Sequence, residues 1–480
     1  MISASTVVDV HCHTFNGDDL PVQGFVQRVL LDDVATLRLV SWALDRIGQH
    51  GTPGYEEERG SLDRLLSQQT RIAAPRTLLV QPTFEHDVEN YFGVAQRERP
   101  DLVTAAEGEM TGNSVSPALI EGLSPAGALK NARRAIAWAV LLCQSRLEIS
   151  QRLVHTYPEV QLFVPMTVDM AIGLKDHPEV SPCQQIELQE KISRLSMLGL
   201  LRENSQAKLH PFIGFDPRSE YRSRAVGDIV SSLDVVKSAI MDFGFVGIKL
   251  YPPMGFRPID NVPTCDMDEQ QARGVDEILR ELYTWCADED VPITAHCNSS
   301  NEARHDYQWN SSPQLWEKVL DRHGELRLNL GHFGGFRSEV KSDKPETLWP
   351  REIAELATRF PNVYADTGHH RIDDAASTES YFRMLSDLFG GNGPQVAPIK
   401  GRVMYGSDWL MLALVPDASL YLHRYRDTFE QYFGEKSIAR FMGGAALEFL
   451  GLTDDGNKNR QRLTARYRRY QVQPPDWLMQ

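Results

Sequence analysis

The feature that most restricts what this chain can fold into lies between residues 160 and 410. Short runs rich in β-branched and aromatic residues alternate there with helical patterns. The runs are "LFVPMTV", "HPFIGF", "FVGIKLY", "VPITAHC", "LRLNLGHF", "NVYADTG" and "RVMYGSDW". Between them lie segments such as "QQARGVDEILRELYTWCADED" and "SPQLWEKVLDRH", whose apolar residues recur at helical spacing. Strands joined by helical crossovers run parallel, and near-continuous apolar strands are buried on both faces. The N-terminal run "TVVDVHC" supplies an eighth strand. Eight such units predict a closed (β/α) barrel. An open, doubly wound sheet is the competing architecture, but no G-x-G-x-x-G follows the first strand.

The segment between the first two strands is too long for a simple crossover. It carries amphipathic patterns at 26–48, 60–73 and 131–157, one strand-like run, "RTLLVQP", and a Gly/Ser/Pro/Ala-rich stretch at 101–130. The expected division is therefore 1–13 as first barrel strand, 14–160 as a large, mainly helical insertion, 161–452 as the remaining barrel, and 453–480 as a basic tail. "RTLLVQP" could instead be a barrel strand that displaces a later one. The tail, with "KNRQRLTARYRRY", reads as a solvated helix or a subunit contact, because charge runs usually face water.

Composition removes several function classes. A formal charge of −15 argues against a general nucleic-acid binder, which needs a basic surface. The longest apolar stretch, near "AIAWAVLLC", is too short to span a bilayer, and the N-terminus has no signal-peptide pattern. The six cysteines form no C-x-x-C pair, so neither a cysteine-bound zinc nor a disulfide framework is expected. The expectation is a cytoplasmic protein acting on a small molecule, without nucleic acid or membrane partners; a homo-oligomer is left open.

Chemistry in such a barrel collects at the C-terminal strand ends. The first strand ends in "HCH". Residues i and i+2 of a strand share a face, so His11 and His13 point together and Cys12 away. Among 14 histidines one H-x-H carries little weight alone. Further strand ends carry Lys249, His296, His332 and Asp408. Lys249 lies between Ile248 and Leu250, which should face the helices, so the lysine should face the barrel axis. Any single member reads more readily as an ordinary polar residue. Together, six inward polar groups are costly to bury without a purpose. Imidazole and carboxylate suit zinc, manganese or iron in a mixed N/O site.

With these residues in view, the chain resembles the metal-dependent amidohydrolase superfamily, in the branch that includes aminocarboxymuconate-semialdehyde decarboxylase. The matching pieces are "DVHCH", "FGFVGIKLYPP", "ITAHC", "SPQLWEKVLDRHGELRLNLGHFGG", "PNVYADTG", "RVMYGSDW" and "FMGGAALEFLGL". They come in the family's order and cover residues 205–452 plus the first 13. The resemblance implies a TIM-like (β/α)8 barrel in which His11, His13, His296 and Asp408 approach a divalent metal, one zinc ion first. His332 falls where the family keeps an acid/base or water-orienting histidine. Other branches carbamylate a lysine on the fourth strand, where Lys249 lies, to bridge two metals, with His296 and His332 holding the second. Single-metal enzymes do not have a lysine there, so the resemblance leaves the metal count open.

The expected function is a metal-dependent hydrolase. It would use metal-activated water on a small carbonyl compound, a lactone, amide or related C–O or C–N bond, and a carboxylated one. Asp408 would take the water proton, His332 would orient water or protonate the leaving group, and the metal, or Lys249 as an uncarbamylated ammonium, would polarise the substrate carbonyl. Lys249, Arg257 after the fourth strand, and Asp366 are the candidate substrate-binding residues, Arg257 as a bidentate carboxylate clamp. His369 and His370 read as loop residues; Cys12, Cys297 and Trp409 read as packing. The rivals are a lyase, decarboxylase or hydratase, on the same metal site, and a non-catalytic binding barrel.

Overall fold

The computed structural model describes residues 6–25, 34–48, 53–68, 84–108, 128–202, 205–299, 302–335, 348–370, 372, 375–390, 397–413 and 417–479. Its strands are β1 (Val8–Cys12), β2 (Leu162–Pro165), β3 (Lys208–Leu209), β4 (Phe212–Phe215), β5 (Gly247–Leu250), β6 (Ile293–His296), β7 (Leu328–Gly331), β8 (Val363–Asp366) and β9 (Val403–Met404). All pair in parallel, in the orders β1-β2-β3 and β4 through β9. Two seams join these sheets into a ring. Met166 bridges to Phe212, with Thr167 N–H donating to the Phe212 carbonyl at 3.0 Å. On the other side Cys12 bridges to Trp409, and the Val10 N–H donates to Tyr405 O at 3.2 Å. The architecture is the expected α/β barrel of eight strand positions.

One position is divided. The run read as a single strand, "HPFIGF", becomes β3 and β4 on either side of His210–Pro211. Proline has no N–H for a ladder, so regular pairing stops there. The His210 N–H still bonds Phe163 O of β2, and the Pro211 carbonyl accepts from Val246 ahead of β5.

The insertion is helical where described: Val34–Gly48, Tyr55–Gln68, Phe84–Glu98, Pro100–Gly108, Ala128–Leu142 and Arg146–Thr156. Two of these, 84–98 and 100–108, were not expected, and the predicted 131–157 helix is two helices. Ser145 breaks it as an N-cap, in a reciprocal capping box with Glu148. "RTLLVQP" lies outside the described residues. The insertion shares one core with the barrel, since Leu39, Leu62, Phe92 and Leu153 join the buried cluster of Phe163, Ile213 and Leu250.

The C-terminal segment corrects the sequence reading. The helix Lys458–Arg469 is not solvated on all sides; it buries Leu463, Arg466 and Tyr467. Leu463 and Tyr467 are four apart and form a stripe, and the arginine stems can cover apolar surface. Tyr467, Trp477 and Leu478 join Val8, Val10, Leu162, Phe212 and Tyr364 in a second apolar cluster. Arg466 reaches Glu190 at 2.7 Å. Among the described residues, no helix is long and apolar enough to cross a membrane.

Candidate metal centre

The strand ends meet as the alternation predicts. Lys249, Thr294 and Asn329 are successive register partners on β5, β6 and β7, and all three are buried. His11 is fully buried, and His13, His296, His332, Lys249 and Asp408 are nearly so. The His11 and His13 rings lie 5.6 Å apart. Ligand atoms of His11, His13 and Asp408 lie within 4.8 Å of one another, as do those of His11, His332 and Asp366.

Hydrogen-bond partners assign the protons on these rings. Neutral imidazole has one N–H and one lone pair. His13 Nδ1 is 2.9 Å from the Met166 carbonyl, which only accepts, so Nδ1 carries the proton and Nε2 is bare. His11 Nδ1 is 3.0 Å from both oxygens of Asp366, so its Nε2 is bare too. His332 Nδ1 donates to Gly368 O at 2.9 Å, so its Nε2 must accept from His296 Nδ1 at 3.1 Å. That leaves His296 Nε2 as a buried lone pair without a hydrogen-bond partner. Burial favours these neutral forms: it lowers His13, drives His296 well below the ordinary imidazole range, and brings His332 to about 3.

Asp408 then faces a bare nitrogen. Its Oδ1 is 3.3 Å from His13 Nε2 and 3.9 Å from His11 Nε2. Burial opposes its charge; the hydrogen bond from His13 and the charges of His332 and His11, which hold Asp408 well below the usual carboxylate range, act only where those rings are protonated. A carboxylate oxygen against an unprotonated imidazole nitrogen is an unfavourable pair unless a cation lies between them. A divalent ion with N and O ligands fits this donor set. His11, His13 and Asp408 would hold it; His296, the fourth expected ligand, is not in either group, and its Nε2 is buried without a hydrogen-bond partner.

The second histidine–aspartate group serves another purpose. Asp366 is fully buried, and besides His11 it accepts from Asn329 Nδ2 (2.7 Å), His332 N (3.1 Å) and Gly368 N (2.9 Å). Its oxygens are committed to these donors, so it orients His11, as carboxylates behind metal-bound imidazoles do. Asp366, read from sequence as substrate-binding, has its oxygens on His11, Asn329, His332 N and Gly368 N.

Lys249 points inward as expected. Its Nζ lies 3.2 Å from His11 Nε2, and burial lowers its pKa to about 8 against the pull of Asp366 and Asp408. Tyr251, two residues on, stacks on His296 with centroids 4.4 Å apart and an interplanar angle of 24°. Arg257 is half-buried: its N–H bonds Asn261 Oδ1 at 2.8 Å, and its Nε reaches Asn310 Oδ1 at 3.4 Å. None of the metal-site residues is among those partners.

Sequence reading missed three contributors. His369, read as a loop residue, brings Nδ1 to 3.9 Å from Asp408 Oδ2. Asn329, on Asp366, was visible as a polar residue inside "LRLNLGHF". Asp9 stands two residues before His11 and was not singled out. Backbone geometry marks the same region: His332 (φ 63°), Phe333 (42°), His369 (59°), Asp408 (53°) and Leu410 (90°) are all left-handed. Such non-glycine strain persists where the surroundings enforce it, often at functional sites.

Gly406 has little room to change. A Cβ there would lie 2.8 Å from His11 Cβ. Gly406→Ala is expected to displace His11, with an overpacking cost of about 1–3 kcal/mol and loss of bound metal. Thermal unfolding and metal analysis of the purified variant check this; unchanged metal content would show that His11 has slack.

Comparison with known proteins finds a family match over part of the chain. Residues 226–452 match the amidohydrolase family. Among solved structures, the chain is similar to an uncharacterized TIM-barrel protein from Bordetella bronchiseptica, at 14% identity and TM-score 0.40, covering 74% of this chain and 92% of that one. An amidohydrolase from Burkholderia multivorans with bound zinc matches at 14% identity and TM-score 0.41, over 66% of this chain and 92% of its own. A dihydroorotase from Campylobacter jejuni matches at 16% and 0.34, over 64% and 81%. No curated protein matches. The family match, residues 226–452, takes in β5 through β9 and just under half of the chain, and over that part, which carries Lys249, His296, His332 and Asp408, the chain is similar to amidohydrolases.

Proposed function

We propose that the protein hydrolyses a C–O or C–N bond, as in a lactone or amide, of a small carboxylated carbonyl compound, with one divalent ion, zinc first, held by His11, His13, His296 and Asp408. The observation that carries this reading is the approach of Asp408 Oδ1 to the bare His13 Nε2 at 3.3 Å, with ligand atoms of His11, His13 and Asp408 within 4.8 Å of one another. An ion bound there would lower the pKa of a coordinated water from about 15.7 toward about 7. Asp408, as a carboxylate beside such an ion, would accept the proton of the attacking water. His332, whose Nδ1 donates to Gly368 O and whose Nε2 accepts from His296 Nδ1, would turn that Nε2 from His296 to the attacking water and orient it as an acceptor. Lys249, as an ammonium, donates to the substrate carbonyl or its carboxylate.

Metal analysis and a substrate panel test this reading. The expected result is one ion per chain and hydrolysis of carboxylated lactones or amides, lost on chelation and restored by the ion. Carbon dioxide release without addition of water would replace hydrolysis by a lyase reaction. Lys249→Ala should keep the ion and lose activity on carboxylated substrates. Two ions per chain with a carbon dioxide mass increment on Lys249 would instead make that lysine a bridging carbamate. Arg257→Ala should lower kcat/KM for acidic substrates about tenfold or more, as for a charge-assisted contact of about 1.5–3 kcal/mol, and spare neutral analogues. Equal effects on both classes would remove Arg257 from the substrate site.

A further inference from the structure

The barrel seam between β9 and β1 is unusual in how it is held. β9 has only two residues, Val403–Met404, yet the chain just beyond it must place Asp408 against histidines of β1. Backbone bonds cross this seam from Val10 N–H to Tyr405 O, from His13 N–H to Trp409 O and from Asp408 N–H to His11 O, and one side-chain pair is added to them. Asp9 and Ser407 are both fully buried. Asp9 Oδ1 accepts from the His11 N–H at 3.3 Å and from the Ser407 N–H at 3.0 Å. Its Oδ2 accepts from the Ser407 hydroxyl at 2.5 Å. The same hydroxyl oxygen accepts from the Trp409 N–H at 2.9 Å. Asp408 therefore sits between two residues fastened to Asp9, and its own N–H donates to His11 O at 2.7 Å. That turn holds Asp408 at φ 53°, a conformation an aspartate does not adopt unaided at no cost.

We infer that Asp9 and Ser407 form a brace that sets the spacing between His11 and Asp408, and so are positioning residues of the metal centre. The proposal rests on the reading of His11 and Asp408 as metal ligands. Asp9 acts on His11 through the backbone N–H of that residue, and Ser407 acts on Asp408 through the adjoining backbone. The serine is specified because one hydroxyl must donate to Asp9 and accept from Trp409 at once. Alanine ends both bonds. Threonine keeps the hydroxyl. Asparagine at position 9 keeps the volume but exchanges an acceptor for a donor opposite Ser407 Oγ.

The test uses Co²⁺ as the probe on the full chain. Affinity is measured by competition with a chelator, and the ligand field by visible absorption. Ser407→Ala should weaken Co²⁺ binding about 10- to 100-fold and shift the absorption bands, while Ser407→Thr stays within about threefold of wild type. Asp9→Asn serves as the second variant and should fall between them. Amide hydrogen exchange at Trp409 is read in parallel and should quicken in Ser407→Ala but not in Ser407→Thr. Wild-type affinity and an unchanged spectrum in a folded Ser407→Ala protein would overturn the brace. A wild-type protein that takes up no Co²⁺ would overturn the metal reading instead, and Trp409 exchange would then decide the brace alone: unchanged exchange in Ser407→Ala rejects it.

Discussion

Replacing His11 and His13 together by alanine is expected to leave a folded chain that takes up no stoichiometric divalent ion and hydrolyses nothing. The two rings supply two of the bare Nε2 atoms that face Asp408, and their Nδ1 protons are spent on Asp366 and the Met166 carbonyl. Without them, Asp408 and His296 are the remaining proposed donors, too few for a tight tetrahedral site. The fold should survive, because Asp366 keeps its three other N–H donors and the barrel core lies elsewhere. Elemental analysis of the purified double variant, with circular dichroism as control, decides the matter. Full metal retention in a folded double variant would remove His11 and His13 from the ligand set.

The largest expected loss of stability falls far from those ligands in sequence. Arg146, at the start of the helix Arg146–Thr156, has no exposed surface. Its Nε and Nη2 bind the two oxygens of Asp19 at 2.8 Å each, and Nη1 binds Glu58 at 2.6 Å. Glu58 belongs to another insertion helix, whereas Asp19 lies six residues after His13, in a short turn capped by Asn16. The Asn16 amide also donates to Gln144 O at 3.1 Å. One guanidinium thus ties the insertion to the loop that follows the metal-binding strand. Arg146→Met keeps much of the volume but leaves two carboxylates buried without their counter-charge. Removing one member of a buried ionic cluster costs about 3–5 kcal/mol, far more than an exposed pair. The midpoint of urea denaturation should fall accordingly. A variant as stable as wild type would mean that both carboxylates take protons or reach water at little cost.

Several elements were legible because their signals are local. The eight strand positions could be marked because each is a short, apolar, β-rich run between helical patterns, and that pattern survives whatever the rest of the chain does. The break at Pro211 was also legible in principle, since a proline inside a strand removes a ladder donor, but the apolar run around it hid the break. The C-terminal helix misled for the opposite reason. Its arginines dominate the composition, while its burial depends on Leu463, Tyr467 and the later Trp477 meeting β1 and β2 residues more than 290 positions away. The helices 84–98 and 100–108 were missed because no marked apolar period was assigned there; they are stabilised by packing on neighbouring helices of the insertion.

The sequence by itself determined the barrel class and most of the candidate ligands, because inward-facing polar groups at the ends of apolar strands violate the local rule that those strands otherwise obey. It could not say which group each ring would meet. The Met166 carbonyl lies 153 residues from His13, Asp366 lies 355 from His11, and Gly368 lies 36 from His332. Two of those partners are backbone carbonyls, which every residue possesses and no residue type advertises. The tertiary structure alone decided which nitrogen of each imidazole is bare, that Asp366 supports His11 from behind, and that Asp9 reaches Ser407 across 398 residues. Hydrogen-bond direction is a property of atoms brought together through space, and only closure of the barrel brings these atoms together.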